Sequence, residues 1–417
     1  MPTKWTTGVL IIFLFAVTLL SGYNYVTKPF SNSAMFSNPT PVVSPTPVVT
    51  PSPEPVSAVE LLQTMTPEEK IAQLLVLPLS LRDFPEISQR TSASSSAVFS
   101  DYLRTVDQLS DSASNSAQLH PGGYLLVDDS LSAEEVSLLL SQTKVVGPLS
   151  QAKYLRPIIT VDHEGGTVQR LQGEGFSQLP SWEEICALPK AQRTLLLESS
   201  ARELTAAGID MVLGPVLDRA TDSSVYASRI CSSDPTLVSL AAADFVRAFT
   251  SAGIIPVYKH FPGIGATKFD LHKQFDSITV SPDDVALYRT MIQNFPTVPV
   301  MISHVGVKNQ YANIPCSLSP DCVQELLTVF PDTVLITDAL DMNSVRKQPG
   351  SEIRKLEDIV LDAVAAGDTL LLLGERVSLE DQKKVMQVLL SEYRINATFA
   401  SKVDESARKI IELKLSL

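Results

Sequence analysis

The chain has 417 residues, of which 44% are hydrophobic, and a formal net charge of -13. A chain of this length buries a large core, either as one barrel-sized domain or as two smaller ones. The acidic balance, spread without a basic stripe, excludes nucleic acid as a partner and offers no attraction to anionic lipid, so an uncharged or zwitterionic substrate fits better.

Lys4 precedes an apolar run from Gly8 to Leu20, after which polar residues resume. The run has the length of a signal h-region, and extending it through Val26 lets it span a bilayer. Residues 1–27 are therefore expected to be a signal peptide or signal anchor, which exports the rest of the chain. From Asn38 to Val56 proline alternates with Ser, Thr, Val and Glu. Such a tract favours extended polyproline conformation and cannot collapse into a core, so 28–56 reads as a disordered stalk that tethers a domain outside the membrane.

Beyond Ser57, short apolar β-branched runs alternate with helix-length segments. Candidate strands are Gln73–Pro78, Gly123–Val127, Pro157–Asp162, Asp210–Gly214, Ile254–Tyr258, Pro299–Ser303, Thr333–Thr337 and Asp368–Leu373. Each is apolar on consecutive residues, as expected of parallel strands covered on both faces. Helix starts are signalled at Thr66-Pro67, Ser132 and Ser281, where a hydroxyl cap precedes acids in the first turn. Eight strands separated by helices predict a single α/β domain over 57–417, folded as a (β/α)8 TIM-type barrel. An open, doubly wound sheet is the alternative, since periodicity does not show closure. The connection between the first two strands, 82–120, is long and rich in serine, and part of it is expected to roof the site.

Ionisable residues follow several of these runs: Asp162-His163-Glu164 after the third, Asp218 after the fourth, Lys259-His260 after the fifth, His304 after the sixth and Asp338 after the seventh. In a (β/α)8 barrel, groups at the carboxyl ends of strands converge on one mouth. The densest cluster runs from Lys259 to His272, where Lys259-His260-Phe261-Pro262-Gly263-Ile264-Gly265 is followed by an Asp270-Leu271-His272 triplet. Buried Lys, His and Asp each cost free energy unless paired, so a core segment has no use for that mixture. The Gly263-x-Gly265 pair lacks the third glycine and the Lys-Ser/Thr of a phosphate loop. A metal site drawn from His260, His272, His304 and Asp162 lacks any compact ligand spacing, and no cofactor is expected. Cys186, Cys231, Cys316 and Cys322 show no zinc spacing; Cys316 and Cys322 could bridge in an oxidising compartment, although lone buried thiols are the preferred reading.

Together, Asp162-His163-Glu164-Gly165-Gly166, Arg229 with Ser233-Asp234-Pro235, the Lys259 to His272 loop and Thr337-Asp338-Ala339-Leu340 resemble glycoside hydrolase family 3, in its single-domain bacterial β-N-acetylglucosaminidase form. The resemblance covers roughly Ser57 to Leu417. It implies a retaining exo-β-N-acetylglucosaminidase that removes terminal N-acetylglucosamine from cell-wall or related glycans through a covalent glycosyl-enzyme. It implies Asp338 as nucleophile, His272 as acid/base with Asp270 as its partner, and Asp162, Arg170, Arg229, Lys259 and His260 as sugar-holding residues. Arg170 is expected to orient Asp162, and Lys259 and His260 to donate toward sugar oxygens. The chain departs from the family at Ile264, where a histidine is usual, and at Leu271, where a serine is usual. A histidine acid/base lacks the permanent charge that repels phosphate, so phosphorolysis is a chemical alternative, and a wall-binding module with decayed catalysis is another.

Overall fold

The computed structural model describes residues 57–81, 120–142, 156–219, 225–347, 350 and 352–417. All of them belong to one compact unit, Pro55–Leu417. The apolar run 8–20, the stalk 28–56 and residues 82–119 of the serine-rich connection lie outside the described residues. Among those described, no helix is long and apolar enough to cross a membrane.

Helices begin where hydroxyl caps precede acids. Helix α1 (Ala58–Thr64) starts at Ser57 and α2 (Pro67–Gln73) at Thr66, each in a reciprocal capping box with the glutamate three residues on. Ser132 forms the same pairing with Glu135 at the start of α3 (Ala133–Gln142), and Ser281 with Asp284 ahead of the helix Pro282–Asn294. In each box two backbone N–H groups that the first turn leaves without helical partners are satisfied.

The strands are β1 (Leu75–Leu79), β2 (Gly123–Leu126), β3 (Ile158–Gly165), β4 (Val168–Gln169), β5 (Met211–Leu213), β6 (Ile255–Pro256), β7 (Tyr258–Phe261), β8 (Ser277–Ile278), β9 (Val300–Ile302), β10 (Gly306–Val307), β11 (Leu335–Thr337) and β12 (Leu371–Leu372). Among the described residues, β12-β1-β2-β3-β5-β6 form one parallel path, with β4 folded back antiparallel on β3. A second parallel sheet runs β11-β9-β7. All eight expected strand positions are occupied, and the fold is α/β with parallel strands. The expected closed ladder is not formed. At each seam between the two sheets only one bridge is present, Val216 with Lys259 and Ile336 with Leu370.

Both interruptions have local causes. At the first seam Pro215 and Pro256 have no N–H to give to a ladder. At the second, the hydroxyls of Thr369 and Thr337 accept the N–H groups of Leu335 and Leu372, where a ladder would use carbonyls. A further difference concerns the fifth run: Lys259 and His260 do not follow it but lie inside β7, whose residues are all buried.

One apolar core extends from Ile71 in α2 to Leu413 near the chain end. A separate small cluster of Tyr226, Ile230, Ile264, Leu271, Ile278, Val305 and Met342 lies under the Lys259 to His272 loop. The cysteines correct the lone-thiol reading. Cys186 is bonded to Cys231 and Cys316 to Cys322, with Cα separations of 5.5 and 5.3 Å, within the range a disulfide requires.

Candidate active site

Side chains two apart on a strand share a face, so β3 presents Asp162 and Glu164 together and turns His163 the other way. His163 is buried against Ser200, 2.9 Å from its Nε2, and desolvation lowers its pKa to about 4, leaving a neutral ring in the core. On the other face Lys259 Nζ lies 2.9 Å from Asp162 Oδ1 and 2.5 Å from Glu164 Oε1. Arg229 donates to both oxygens of Glu164, at 2.9 Å from Nε and 2.8 Å from Nη2. Burial acts to raise the Glu164 pKa, but Arg229 and Lys259 outweigh it and hold the carboxylate at about 2. Burial acts to lower the Lys259 pKa, and Asp162 with Glu164 reverse that and raise it. Two carboxylates thus face two cations on a buried floor, each charge paired as low dielectric demands.

His260 is held in place by two neighbours. Its Nδ1 is 2.7 Å from Asp218 Oδ2, and Arg229 Nη2 lies 3.3 Å from its Nε2. Because a guanidinium only donates, Nε2 accepts and Nδ1 carries the proton shared with Asp218. Asp218 Oδ1 also accepts the N–H of Ile264 at 2.8 Å, which ties the loop to the floor. Both ring nitrogens of His260 are therefore engaged with protein groups, and neither is left to donate outward in this arrangement. The glycines of this loop are structural. Gly263 has φ +127°, and a Cβ on Gly265 would lie 1.8 Å from the carbonyl oxygen of Arg219.

Asp338 follows β11 directly. Its N–H donates to the Ile302 carbonyl on β9 at 2.9 Å, and its Oδ1 accepts the Ala339 N–H at 2.8 Å. Burial acts to raise its pKa, but the protonated forms of His304, His260 and His272, with the Ala339 N–H, lower it, so the carboxylate is the first of these groups to ionise as pH rises. Beside it His304 is fully buried, with Nδ1 2.7 Å from Ser317 Oγ and Nε2 3.0 Å from the Ala339 carbonyl. A carbonyl only accepts, so Nε2 carries the proton. Desolvation lowers the His304 pKa despite Asp338, and the ring is a neutral brace for the backbone that carries Asp338.

Asp270 and His272 are linked twice. Asp270 Oδ1 is 3.0 Å from both the backbone N and the ring Nδ1 of His272. Burial raises the Asp270 pKa less than these bonds and Lys273 lower it. The carboxylate accepts from Nδ1–H, which leaves Nε2 for proton exchange, and the His272 side chain is 62% exposed.

A cavity of about 410 Å³ joins these groups, lined by Asp162, Arg170, Arg229, Lys259, His260, His272 and Asp338. Of the eight catalytic and sugar-holding residues that the resemblance implies, Asp270 alone does not line it and instead bonds the His272 ring. Arg170 reaches the cavity, and its guanidinium interacts with the Asp162 charge without bonding that carboxylate. It bonds Asp129 Oδ1 at 3.0 Å and the Val127 carbonyl at 3.2 Å, while Asp162 is paired with Lys259.

The family model described as "Glycosyl hydrolase family 3 N terminal domain" matches residues 66–413. The chain belongs to glycosyl hydrolase family 3. It is 28% identical over 366 residues to the beta-hexosaminidase LpqI of Mycobacterium tuberculosis, covering 84% of this chain and 83% of that one. It is 34% identical over 253 residues to a beta-hexosaminidase of Shewanella frigidimarina, covering 56% of this chain and 71% of the relative. The crystal structure of a beta-N-acetylhexosaminidase from Beutenbergia cavernae aligns over 84% of this chain and 98% of its own, with TM-score 0.68 at 22% identity, a likeness of fold.

For a family 3 glycoside hydrolase, the sequence left several residues of the site without a role. Glu164 was legible in principle, because the i, i+2 spacing of Asp162 and Glu164 in an extended run places both on one face. Asp218 and His304 stood at strand ends, but only their partners reveal what they hold. Tyr226 and Arg376 also line the cavity, and no spacing announced either.

Proposed function

We propose that this family 3 enzyme is a retaining exo-β-N-acetylglucosaminidase that hydrolyses terminal β-linked N-acetylglucosamine from cell-wall or related glycans. The observation that carries this reading is that Asp338 and His272 line one cavity whose floor is a charge-balanced set of hydroxyl-binding groups. Asp162 Oδ2 and the remaining Lys259 proton are free to bind sugar hydroxyls, and a neutral floor suits an uncharged acetamido sugar. Asp338 Oδ2 attacks the anomeric carbon while His272 Nε2 delivers its proton to the departing glycosidic oxygen. The C–O bond breaks as the carboxylate ester forms. His272, now neutral, takes a proton from water as that water attacks the same carbon and releases Asp338. Asp270 orients the ring and stabilises its protonated form in both steps.

The two parallel sheets are read as halves of one (β/α)8 barrel with the site at its mouth. Residues 57–417 are read as the catalytic domain, exported and tethered by the N-terminal segment and stalk. The apolar run, the proline tract and two disulfides support export, since disulfides persist in oxidising compartments.

Hydrolysis of an aryl β-N-acetylglucosaminide tests the assignment. Asp338→Asn is expected to lower kcat by at least about a thousandfold, and His272→Ala by about 10²–10⁴. Equal release of aglycone by wild type and both variants would overturn the roles, and no release by wild type would overturn the activity. Running the reaction with and without phosphate, and assaying sugar 1-phosphate against free sugar, separates hydrolysis from phosphorolysis.

A further inference from the structure

The short turn Ala227–Arg229 and its flanking residues touch both halves of the site. On one side Arg229 binds Glu164 through two nitrogens, with Glu164 in turn on Lys259. On the other, the Tyr226 hydroxyl accepts the buried Leu271 N–H at 2.8 Å and donates to Asp270 Oδ1 at 3.4 Å. The Tyr226 ring lies under the Arg229 guanidinium, 5.2 Å from centroid to Cζ, and so packs the two halves together. Ile230 is buried against the same apolar cluster as Ile264 and Leu271. One residue further, Cys231 is bonded to Cys186 in the helix Trp182–Ala187, and that helix is fixed by Trp182 Nε1 donating to the Val216 carbonyl at 2.9 Å.

We propose that the segment 226–231 is the positioning element that couples sugar binding to proton transfer, with Tyr226 as a positioning residue for the Asp270–His272 pair and the Cys186–Cys231 disulfide as its anchor. The proposal rests on the roles given above to His272 and Arg229. Leu271 sits between Asp270 and His272, so an acceptor for its N–H fixes the backbone from which both side chains project. Without that oxygen the N–H is buried and unpaired, and the triplet must shift to find water. Among the described residues the groups that face Asp270 are His272, Lys273 and Tyr226, and Tyr226 also lies beneath the Arg229 guanidinium of the sugar-holding floor.

Tyr226→Phe keeps the ring and its packing and removes only the oxygen. It is expected to lower kcat on an aryl β-N-acetylglucosaminide about tenfold, the cost of one hydrogen bond, with KM changed less than about twofold. Amide hydrogen exchange of residues 270–273 should quicken, and exchange in β3 and β9 should not. The Cys186→Ala/Cys231→Ala double variant should both raise KM and lower kcat, and quicken exchange in 225–231 as well as 270–273. An unchanged kcat together with unchanged exchange at Leu271 in Tyr226→Phe would overturn the proposal, as would a double variant that melts lower but keeps wild-type KM and loop exchange. If the wild type cleaves no aryl β-N-acetylglucosaminide, it is the functional reading that fails. The exchange measurements then still decide whether this turn holds the loop.

Discussion

At Glu164 a single carboxylate balances two cations in a space almost closed to water. Arg229 approaches it edge-on through two nitrogens and Lys259 end-on, so the side chain fixes the positions of both groups that face the cavity. Glu164→Gln keeps the shape and removes the charge, leaving Lys259 with Asp162 and taking from Arg229 the carboxylate it bonds. Loss of one partner of a buried ion pair is expected to cost about 3–5 kcal/mol, read as a lower urea midpoint at neutral pH. The sign of its pH dependence follows from the direction of the shift. The Glu164 pKa is held near 2 in the folded protein against an ordinary 4.5, so its contribution is complete above about 4.5 and is lost as pH falls toward 2. The stability gap between wild type and variant should therefore be constant from pH 6 to 8 and close between pH 4.5 and 2. A gap that keeps its full neutral-pH size at pH 2.5 would contradict the ionised, doubly paired carboxylate.

The loop after β7 is supported by a small apolar cluster of its own. Ile264 and Leu271 are both buried, at 3% and 1% exposure, with Tyr226, Ile278, Val305 and Met342. The loop is thus held by apolar packing from below and by Asp218 and Tyr226 from the sides. Leu271→Ala is expected to cost about 2–5 kcal/mol, the range for truncating a buried leucine. Since this cluster is separate from the main core, the loss should appear as faster amide exchange over residues 266–274 before any global unfolding. A drop in global stability with normal loop exchange would instead place the cluster in the main core. At this scale the sequence was readable where one local rule decides. Capping boxes at Thr66, Ser132 and Ser281 and the apolar strand runs follow from short-range chemistry. So does the bringing together of Asp162, Lys259 and Asp338, because parallel strand ends meet. What escaped depends on partners far along the chain. Lys259 and His260 were placed after their strand because charge ends an apolar run, yet Asp162, Glu164 and Asp218 pair with them and let β7 continue. The Cys186–Cys231 bond closes across 45 residues, and no spacing rule reaches that far.

Across the whole molecule the two ends of the strands have different tasks. Cavity groups cluster where strands end, whereas the opposite side carries an ion pair of Arg156 with Asp210 and a buried lysine, Lys414, in the helix Ala397–Leu415. Lys414 Nζ donates to Gln73 Oε1 at 2.6 Å, joining the last helix to α2, and Gln73 passes the link on to the His120 carbonyl at 3.0 Å. With the two sheets as halves of one barrel, as proposed above, the face away from the strand ends governs stability rather than catalysis. Desolvation, reinforced by Arg156, lowers the Lys414 pKa to about 7 from an ordinary 10.5. Between those values the unfolded chain holds a proton that the folded one has released, so stability rises with pH through this window, and the penalty of a buried charge is complete below pH 7. Lys414→Met removes that titration while leaving Gln73 short of one donor at every pH. Urea midpoints of wild type and variant should therefore separate progressively in favour of wild type from pH 7 to pH 10, with activity on the aryl glycoside unchanged within about twofold. Two parallel stability curves would show that Lys414 stays charged in the folded protein, and a loss of activity would show that this face is not independent of the site.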